Sequence, residues 1–405
     1  MKGPVLIVSA EYPPMHGGIG DYTARLVAAL ADNGWHARVL TSEAARSEDP
    51  RVLADVRRWN WNLTDQIRDT LRRTNAKALH IQYQTGAYAM HPAINFVPRR
   101  LGKGSGALPI ITTFHDLLPP YLFPKAGPAR DWVTRTLAKG SDAVIVTNVQ
   151  DLEYLALQPD LLRRLKAIPI GSNLPDIPPI ERAAVRQKLG LPEESEHAIG
   201  FFGFLTEDKG VDVLLQALSE LPYASRPTLV IIGGGLAQTD QANRAYHERL
   251  SQQFEQASIP VIQTGHLPPN EAAAALRAMD LVVLPFRDGA SLRRGSLIAA
   301  IRAGAAVVTT DPGTEHSLAP LIGGESVWLV PPGEPDALRA GIQTLLGNRS
   351  LRERLSAQAL AQGTSFDWNA IAQQHIEIYE ALIARSTTPL RPTHANSVGT
   401  MRSSK

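Results

Sequence analysis

Three glycines close to the N-terminus, Gly17, Gly18 and Gly20, are the first candidates for ligand binding. An apolar run at residues 5–8 predicts a strand before them, and apolar residues at helical spacing in 22–30 predict a helix after them. The first turn of a helix offers unpaired N–H groups and partial positive charge, and glycines let a ligand approach the backbone. The pattern predicts an anion-binding turn; a tight turn that binds nothing is the alternative.

Two later turns between a predicted strand and a predicted helix carry cations. Lys209 lies near the start of a helix, where a cation and free N–H groups together suit a phosphate. The loop 285–296 contains Arg293 and Arg294, whose guanidinium groups can each bind two phosphate oxygens. We predict phosphate binding at both turns. A solvated lysine, and a capping loop with Ser296 as the N-cap, are the alternatives.

A histidine follows the apolar run 109–113, which the pattern predicts as the fourth strand of the first sheet. This residue, His115, would lie at the carboxyl end of a parallel strand, where such sheets bind ligands. Its imidazole could hydrogen-bond a substrate hydroxyl or stabilise developing charge, and a structural histidine is the alternative. The sequence has no Asp-x-Asp pair and no histidine-rich cluster, so we predict no metal.

Strands alternate with helices along the chain, which predicts parallel sheets covered on both faces. The predicted strands are residues 4–9, 37–40, 78–83, 109–113 and 143–147, and then 198–202, 228–232, 261–263, 281–284, 306–309 and 326–330. The clearest helices are residues 211–221, 240–256 and 368–383. This order predicts two similar α/β domains with a ligand cleft at the carboxyl ends of their strands.

A segment rich in proline and glycine at 168–179 predicts the linker between the domains. We therefore expect an N-terminal domain at 1–174 and a C-terminal domain at 175–366. From 386 to 405 the chain is polar without apolar periodicity, which predicts a disordered tail.

The composition is that of a globular protein of 405 residues, with 44% hydrophobic and 20% charged residues. It contains no cysteine, which excludes disulfides, thiolate catalysis and zinc–thiolate sites. There is no apolar run of 18 residues and no signal-peptide pattern, so we expect a cytoplasmic protein.

Positive charge is concentrated in the first part of the chain. Residues 1–175 hold 21 Lys/Arg and 15 Asp/Glu, and the remainder holds 20 and 24. This predicts a face for an anionic membrane or acceptor, with an ordinary solvated surface as the alternative. No basic-aromatic motif or recognition module for nucleic acid is present.

Over residues 1 to about 385 the chain resembles the family-4 (group 1) glycosyltransferases of the GT-B fold. The matching landmarks are Glu11-Tyr-Pro-Pro, Gly17-Gly-Ile-Gly20, Phe114-His-Asp116, Ile170-Gly-Ser-Asn173, Lys209-Gly210, Ile231-Ile-Gly-Gly-Gly235, Gly265-His-Leu267, the stretch 280–285, and Phe366-Asp-Trp with Tyr379. The resemblance implies two Rossmann-like domains facing a cleft, with a C-terminal helix at about 367–385 crossing back onto the first domain. It also implies transfer of a sugar from a nucleotide-diphosphate sugar with retained configuration. We predict that this transfer needs no metal and no cofactor.

The resemblance also implies roles for individual residues. It places the nucleotide in the second domain and the acceptor in the first. His115 corresponds to the residue that contacts the donor sugar, Lys209 to the lysine on the diphosphate, and the turn Gly17–Gly20 would face the donor phosphates or sugar. Residues that would lie near the base are Gly265, His266 and Leu267.

The sequence departs from the family in three places. The family usually has an arginine where Phe204 stands, and a Glu-x7-Glu pair whose positions here are Ser291 and Ala299. In the family the first glutamate usually contacts the donor sugar and the second holds the ribose, which Ala299 cannot do. We expect Asp288 to replace the first glutamate if the loop is shifted. Arg293 or Arg294 would replace the missing arginine, with Gly295 and Ser296 following at the helix start.

The leading hypothesis is a retaining glycosyltransferase whose catalytic residues are His115, Lys209 and Asp288. Its partners would be a nucleotide-sugar donor and a sugar, lipid-linked or polysaccharide acceptor, at the inner face of the membrane if the basic domain contacts lipid. The missing acidic pair motivates an alternative, a catalytically impaired protein that only binds sugar nucleotides or glycans. A sugar-nucleotide epimerase fits the motifs less well. A dinucleotide oxidoreductase fits least, because Gly-x-Gly-x-x-Gly is absent after the first strand.

Overall fold

The first sheet of this computed structural model is built from residues 2–167. The structure describes residues 2–15, 17–84, 86–102, 107–117, 127–191, 197–222, 226–234, 241–313 and 318–387. Within these ranges the strands are β1 (Lys2–Val8), β2 (Trp35–Ser42), β3 (Val52–Val56), β4 (Ala78–Gln84), β5 (Ile110–Asp116), β6 (Ala143–Val146) and β7 (Leu165–Ala167). They are parallel, in the order β3-β2-β1-β4-β5-β6-β7. The intervening helices are α1 (Gly18–Asp32), α2 (Leu63–Thr74), α3 (Ala93–Leu101), α4 (Gly127–Gly140) and α5 (Val149–Ala156).

The second sheet repeats this plan with six parallel strands among the described residues. They are β8 (Ala198–Gly203), β9 (Thr228–Gly233), β10 (Val261–Gln263), β11 (Leu281–Leu284), β12 (Val307–Thr310) and β13 (Trp328–Val330), in the order β10-β9-β8-β11-β12-β13. The helices are α6 (Arg182–Lys188), α7 (Val211–Ser219), α8 (Gln241–Gln256), α9 (Pro269–Ala278), α10 (Gly295–Arg302), α11 (Pro335–Leu346) and α12 (Arg349–Gln362). Both sheets therefore present their strand carboxyl ends along one edge.

Burial on both faces explains the continuous apolar run in the second half of β1. Successive side chains of β1 point to opposite sides of the sheet: Val5 and Ile7 pack with α1, while Leu6 and Val8 pack with α2 and α3. All of these side chains are at most 1% exposed. Burying each one contributes about 1.5–3 kcal/mol to folding, so the two apolar layers hold the strand in one register.

The last helix, α13 (Trp368–Thr387), packs on the first sheet beside α1. The indole Nε1 of Trp368 donates a hydrogen bond to the Ser172 carbonyl at 2.7 Å. A Cβ on Gly171 would lie 2.4 Å from the Trp368 ring, so only glycine permits this approach. No helix in the described part of the chain combines the length and hydropathy needed to cross a bilayer.

The structure confirms the predicted fold class and each predicted strand, and it adds two edge strands that the pattern did not indicate. β3 is mostly half-exposed, and β7 has three residues of which one is buried, so neither has a continuous apolar run. His115 consequently lies on the fifth strand in chain order, where the sequence predicted the fourth. α13 extends to Thr387, past the predicted start of the tail, and residues 388–405 lie outside the described residues, as does Gly235. The domain limits at residues 174 and 366 stay predictions.

Candidate functional site

Glycines at the strand ends of the second sheet form a bare backbone surface. The N–H of Gly234 donates to the Gly203 carbonyl at 2.9 Å, and Gly233 forms an isolated bridge with Gly265. Gly203 has φ 135° and Gly233 has φ 94°, values that side-chain-bearing residues rarely adopt. A Cβ on Gly203 would lie 3.9 Å from the Cβ of Ser296, so the start of α10 borders the same surface.

Two cations share one aromatic ring next to this surface. Lys209 Nζ lies 5.1 Å from the ring centre of Phe286, and the Arg294 guanidinium carbon lies 4.5 Å from it. Both side chains are largely buried, with 20% and 13% of their area exposed. Asp208 pairs with both cations, and Asp288 pairs with Arg294. We call these five residues the cation cluster.

Burial and neighbouring charges shift the pKa of two members of the cation cluster. Burial, and then the charge of Arg294, lower the pKa of Lys209. Burial alone would raise the pKa of Asp208. Hydrogen bonds from Thr206 and Arg294 outweigh burial, so the pKa of this carboxyl lies below its usual value. Asp208 and Asp288 balance the two cations, so a diphosphate would reach Arg294 by displacing the exposed Asp288 carboxylate and could then bind both cations.

A glycine brings Lys209 against the loop that carries Phe286. The short 3₁₀ turn Glu207–Lys209 ends at Gly210, which has φ 66°. A Cβ on Gly210 would lie 2.2 Å from the Pro285 carbonyl oxygen. The backbone therefore requires glycine at position 210, directly after Lys209.

Arg293 forms hydrogen bonds and ion pairs with residues of the first domain, whereas its neighbour Arg294 pairs with residues of its own domain. Its Nη2 lies 2.7 Å from Asp151 Oδ1 and 3.1 Å from Asn148 Oδ1, and its Nη1 lies 3.9 Å from Asp116. Burial raises the pKa of Asp151, which Arg293 opposes. Two arginines were predicted to replace the one that the family has and this chain lacks. Arg294 packs with Lys209 on Phe286, whereas Arg293 pairs with Asp151 of the first domain.

His115 is the penultimate residue of β5 and packs against α1. Its Nε2 lies 2.8 Å from Gln82 Oε1, and the Tyr22 ring meets it edge-on at 4.6 Å. Burial, followed by the charge of His375, lowers the pKa of His115 to about 3. The imidazole is therefore neutral near pH 7, where it can hydrogen-bond a hydroxyl but cannot act as a general acid.

The glycine turn before α1 holds a carboxylate of the protein itself. The N–H of Gly20 hydrogen-bonds the Glu11 carboxylate, and burial raises the pKa of that group. A Cβ on Gly17 would overlap Glu11 Oε2 at 1.7 Å, whereas Gly18 faces open space. A phosphate at this turn would have to displace the Glu11 carboxylate, while a sugar hydroxyl could donate to it. The predicted contact of the turn with the donor stays a prediction.

The remaining predicted residues differ in exposure. Phe204 is 57% exposed, and Leu267 is half-buried beside the exposed His266.

Ser291 Oγ accepts the Arg293 N–H at 3.3 Å. α10 begins at Gly295 with Arg294 as its N-cap and no side-chain cap, so the alternative with Ser296 as the N-cap is wrong.

Ala299, at the second glutamate position of the family, is 1% exposed in the core of the second domain. The helix turns this position inward, so a carboxylate there would be buried. Among the described residues, no group of three His, Asp or Glu side chains is placed to hold a metal ion.

Sequence reasoning missed Glu11, Gln82, Asp151 and Phe286. Glu11 lies in the motif Glu11-Tyr-Pro-Pro, for which no chemical role was predicted, and Phe286 lies two residues after the predicted strand 281–284. Gln82 and Asp151 gave no sequence signal, because their importance depends on partners 33 and 142 residues away.

Two family models match the chain, one for each sheet. The "Glycosyl transferase 4-like domain" matches residues 17–170, and "Glycosyl transferases group 1" matches residues 196–348. The chain belongs to the group 1 glycosyltransferases.

Curated relatives of this group 1 family member cover part of its length. A phosphatidyl-myo-inositol mannosyltransferase of Mycobacterium tuberculosis is 32% identical over 236 residues, which are 55% of this chain and 58% of the relative. A D-inositol 3-phosphate glycosyltransferase of Jonesia denitrificans is 30% identical over 222 residues, 53% of this chain and 49% of the relative. The chain thus spans about half the length of the curated relatives it matches.

Solved structures share the whole architecture of this group 1 family member. The Anabaena protein HepE in complex with UDP-glucose superposes with a TM-score of 0.68 at 21% identity, covering 94% of this chain and 100% of that one. Sucrose-phosphate synthase from Thermosynechococcus elongatus superposes with a TM-score of 0.71 at 21% identity, covering 95% and 100%. At such identity the likeness establishes the GT-B fold alone.

Proposed function

We propose that this protein transfers a sugar from a nucleotide-diphosphate sugar to an acceptor hydroxyl, with retention of configuration and without a metal. The observation that carries the proposal is the cation cluster at the strand ends of the second sheet. Lys209 and Arg294 lie on one ring, next to bare glycine backbone and the uncapped start of α10. Asp288 is 64% exposed and is the carboxylate that a diphosphate would displace from Arg294.

In the proposed reaction the bond between the anomeric carbon and the diphosphate oxygen breaks as the acceptor oxygen bonds to the same face. The acceptor proton passes to an oxygen of the departing diphosphate. Such a transition state resembles an oxocarbenium ion. The protein's part is positioning and charge stabilisation, with Lys209 and Arg294 on the leaving group and neutral His115 on a sugar hydroxyl.

A donor screen tests this proposal. UDP-, GDP-, ADP- and dTDP-sugars are compared by thermal shift and by hydrolysis in EDTA, and the product's anomeric configuration is read by NMR. We expect one nucleotide to stabilise the protein, and Lys209→Ala to lower turnover about 10²–10³-fold. Lys188→Ala, at a surface ion pair with Glu271, is the matched control. Normal turnover by Lys209→Ala would overturn the assignment, and a requirement for added metal would overturn metal independence.

The buried Ala299 supports a second candidate, a sugar-nucleotide or glycan-binding protein without transferase activity. No carboxylate stands at that position to bind the ribose in the manner the family resemblance implies. This alternative predicts stabilisation by a nucleotide sugar with no turnover, whichever acceptor is supplied.

We also propose that the N-terminal domain contacts an anionic membrane that carries a lipid-linked acceptor, and that the protein is otherwise cytoplasmic. Trp61 and Trp132 are 45% and 58% exposed on either side of Phe96, and the Arg100 guanidinium lies 4.8 Å from the Trp61 ring centre. Exposed aromatic rings next to arginines suit a negatively charged lipid interface.

Vesicle sedimentation tests the membrane contact. We expect binding to phosphatidylglycerol vesicles at low salt, loss of binding at high salt, and weaker binding by Trp61→Ala/Trp132→Ala. Arg349→Ala, at an exposed ion pair of the other domain, serves as the charge control. Absence of binding at low salt would remove this proposal and leave the transferase proposal intact.

A further inference from the structure

A buried chain of polar side chains ends at His115. The amide of Gln82 on β4 stands between two imidazoles, with its Oε1 2.8 Å from His115 Nε2 and its Nε2 3.2 Å from His80 Nε2. Gln82 and His80 are both fully buried. Neither amide end can therefore exchange its partner for bulk water.

The same chain continues into the last helix. His80 Nδ1 lies 2.7 Å from the Tyr379 hydroxyl of α13, and His80 Nε2 lies 2.8 Å from Thr113 Oγ1 on β5. Tyr379 is also fully buried. The position of Gln82 is thus set from three elements, β4, β5 and the crossing helix.

The orientation of the Gln82 amide determines which nitrogen of each neutral imidazole carries the proton. Its oxygen only accepts and its nitrogen only donates, so His115 donates from Nε2, and His80 accepts at Nε2. His80 then carries its proton on Nδ1 and donates to the Tyr379 hydroxyl. His115, with its proton on Nε2, has its lone pair on Nδ1.

We propose that Gln82 is a positioning residue of the candidate site, which fixes the tautomer and ring orientation of His115. The partner of a histidine's second nitrogen decides which nitrogen carries the proton. The catalytic consequence rests on the proposed function, because only there does His115 contact the donor sugar. The tautomer itself does not depend on that function.

Histidine NMR tests the proposal directly. In protein labelled with ¹⁵N-histidine, long-range ¹H–¹⁵N correlations report the tautomer of each ring, and His115→Asn and His80→Asn supply the assignments. We expect wild-type His115 to be protonated on Nε2 and His80 on Nδ1. A His115 ring protonated on Nδ1 would overturn the proposal, even if no variant of Gln82 folds.

Substitutions at Gln82 provide a second test of the proposal. Gln82→Met, of similar size, removes both hydrogen bonds. We expect a mixture of His115 tautomers and a loss of kcat of about 10- to 100-fold, the size of effect known for partners that orient metal-bound histidines. The nucleotide Kd should be unchanged. Gln82→Glu restores an acceptor for His115 and should recover the wild-type tautomer and most of the rate.

The matched control is Thr113→Val, which removes a hydroxyl from His80 and leaves the Gln82–His115 bond in place. It should keep both tautomers. A wild-type His115 signal in Gln82→Met would overturn the inference while leaving the transferase proposal standing. If no donor is turned over by the wild type, the transferase proposal fails and the tautomer measurement still decides this one.

Discussion

Arg293 of the second domain and Asp151 of the first form an ion pair, with Arg293 Nη2 2.7 Å from Asp151 Oδ1. The Asp151 side chain is 4% exposed, and Asn148 holds both partners. The pair links the β11–α10 loop to the start of α5, so it sets where the two sheets meet beside His115.

We expect Arg293→Ala to lower the free energy of unfolding by about 3–5 kcal/mol, because it leaves the Asp151 carboxylate buried without its partner. Urea titration followed by tryptophan fluorescence measures this. Adding Asp151→Asn to Arg293→Ala should recover part of the loss, since the uncompensated charge is then removed. Arg349→Ala should leave the titration unchanged. A single Arg293→Ala as stable as the wild type would contradict the role given to the pair.

Gly210→Ala should be far more damaging than substitution at another left-handed glycine. At Gly34 an added methyl group would have no atom within 4 Å. Gly34→Ala should therefore lose only the stability that a left-handed φ of 76° costs an alanine, about 1–2 kcal/mol. At Gly210 the new methyl would also collide with the Pro285 carbonyl at 2.2 Å. We expect a larger fall in melting temperature and a loss of nucleotide binding through displacement of Lys209. Equal effects of the two substitutions would disprove this reasoning.

Three buried histidines predict a loss of stability in mild acid. Burial lowers the pKa of His115 to about 3, that of His375 to about 4, and that of His80 well below its ordinary value. The unfolded chain binds these protons near pH 6.5 and the folded chain does not. Stability is therefore independent of these groups above about pH 7 and falls as the pH drops below about 6.5.

Each histidine contributes a slope of about 1.4 kcal/mol per pH unit, so the three together give about 4 kcal/mol per unit near pH 5. Urea titrations between about pH 7 and pH 5 measure that slope. His375→Gln should reduce it by about a third. An unchanged slope in His375→Gln would argue against a neutral, buried His375.

Restoring the family's second glutamate should not restore its function here. Ala299 is 1% exposed, so Ala299→Glu would bury a carboxylate without a partner and lower the melting temperature. Ala340→Glu, at an exposed position of α11, is the matched control and should be tolerated. Tighter nucleotide binding by a fully stable Ala299→Glu would show instead that this position reaches the ribose.

The sequence by itself determined the two parallel sheets and the turns that carry the site. Strands buried on both faces are mostly apolar, so the pattern identifies runs such as Leu281–Leu284. The edge strand β3 has one exposed side and shows no such run. Glycines and cations between a strand and a helix are local signals, and Lys209 and Arg294 do lie together.

Only the tertiary structure decided the partners of these residues. Arg293 and Arg294 are adjacent in sequence, yet one pairs with Asp151 of the other domain and the other packs on Phe286. Likewise, the bond between Gln82 and His115 depends on the register of β4 against β5. Hydrogen bonds and ion pairs form between groups that meet in space, and those meetings depend on strand order, helix orientation and burial, which local residue patterns do not encode.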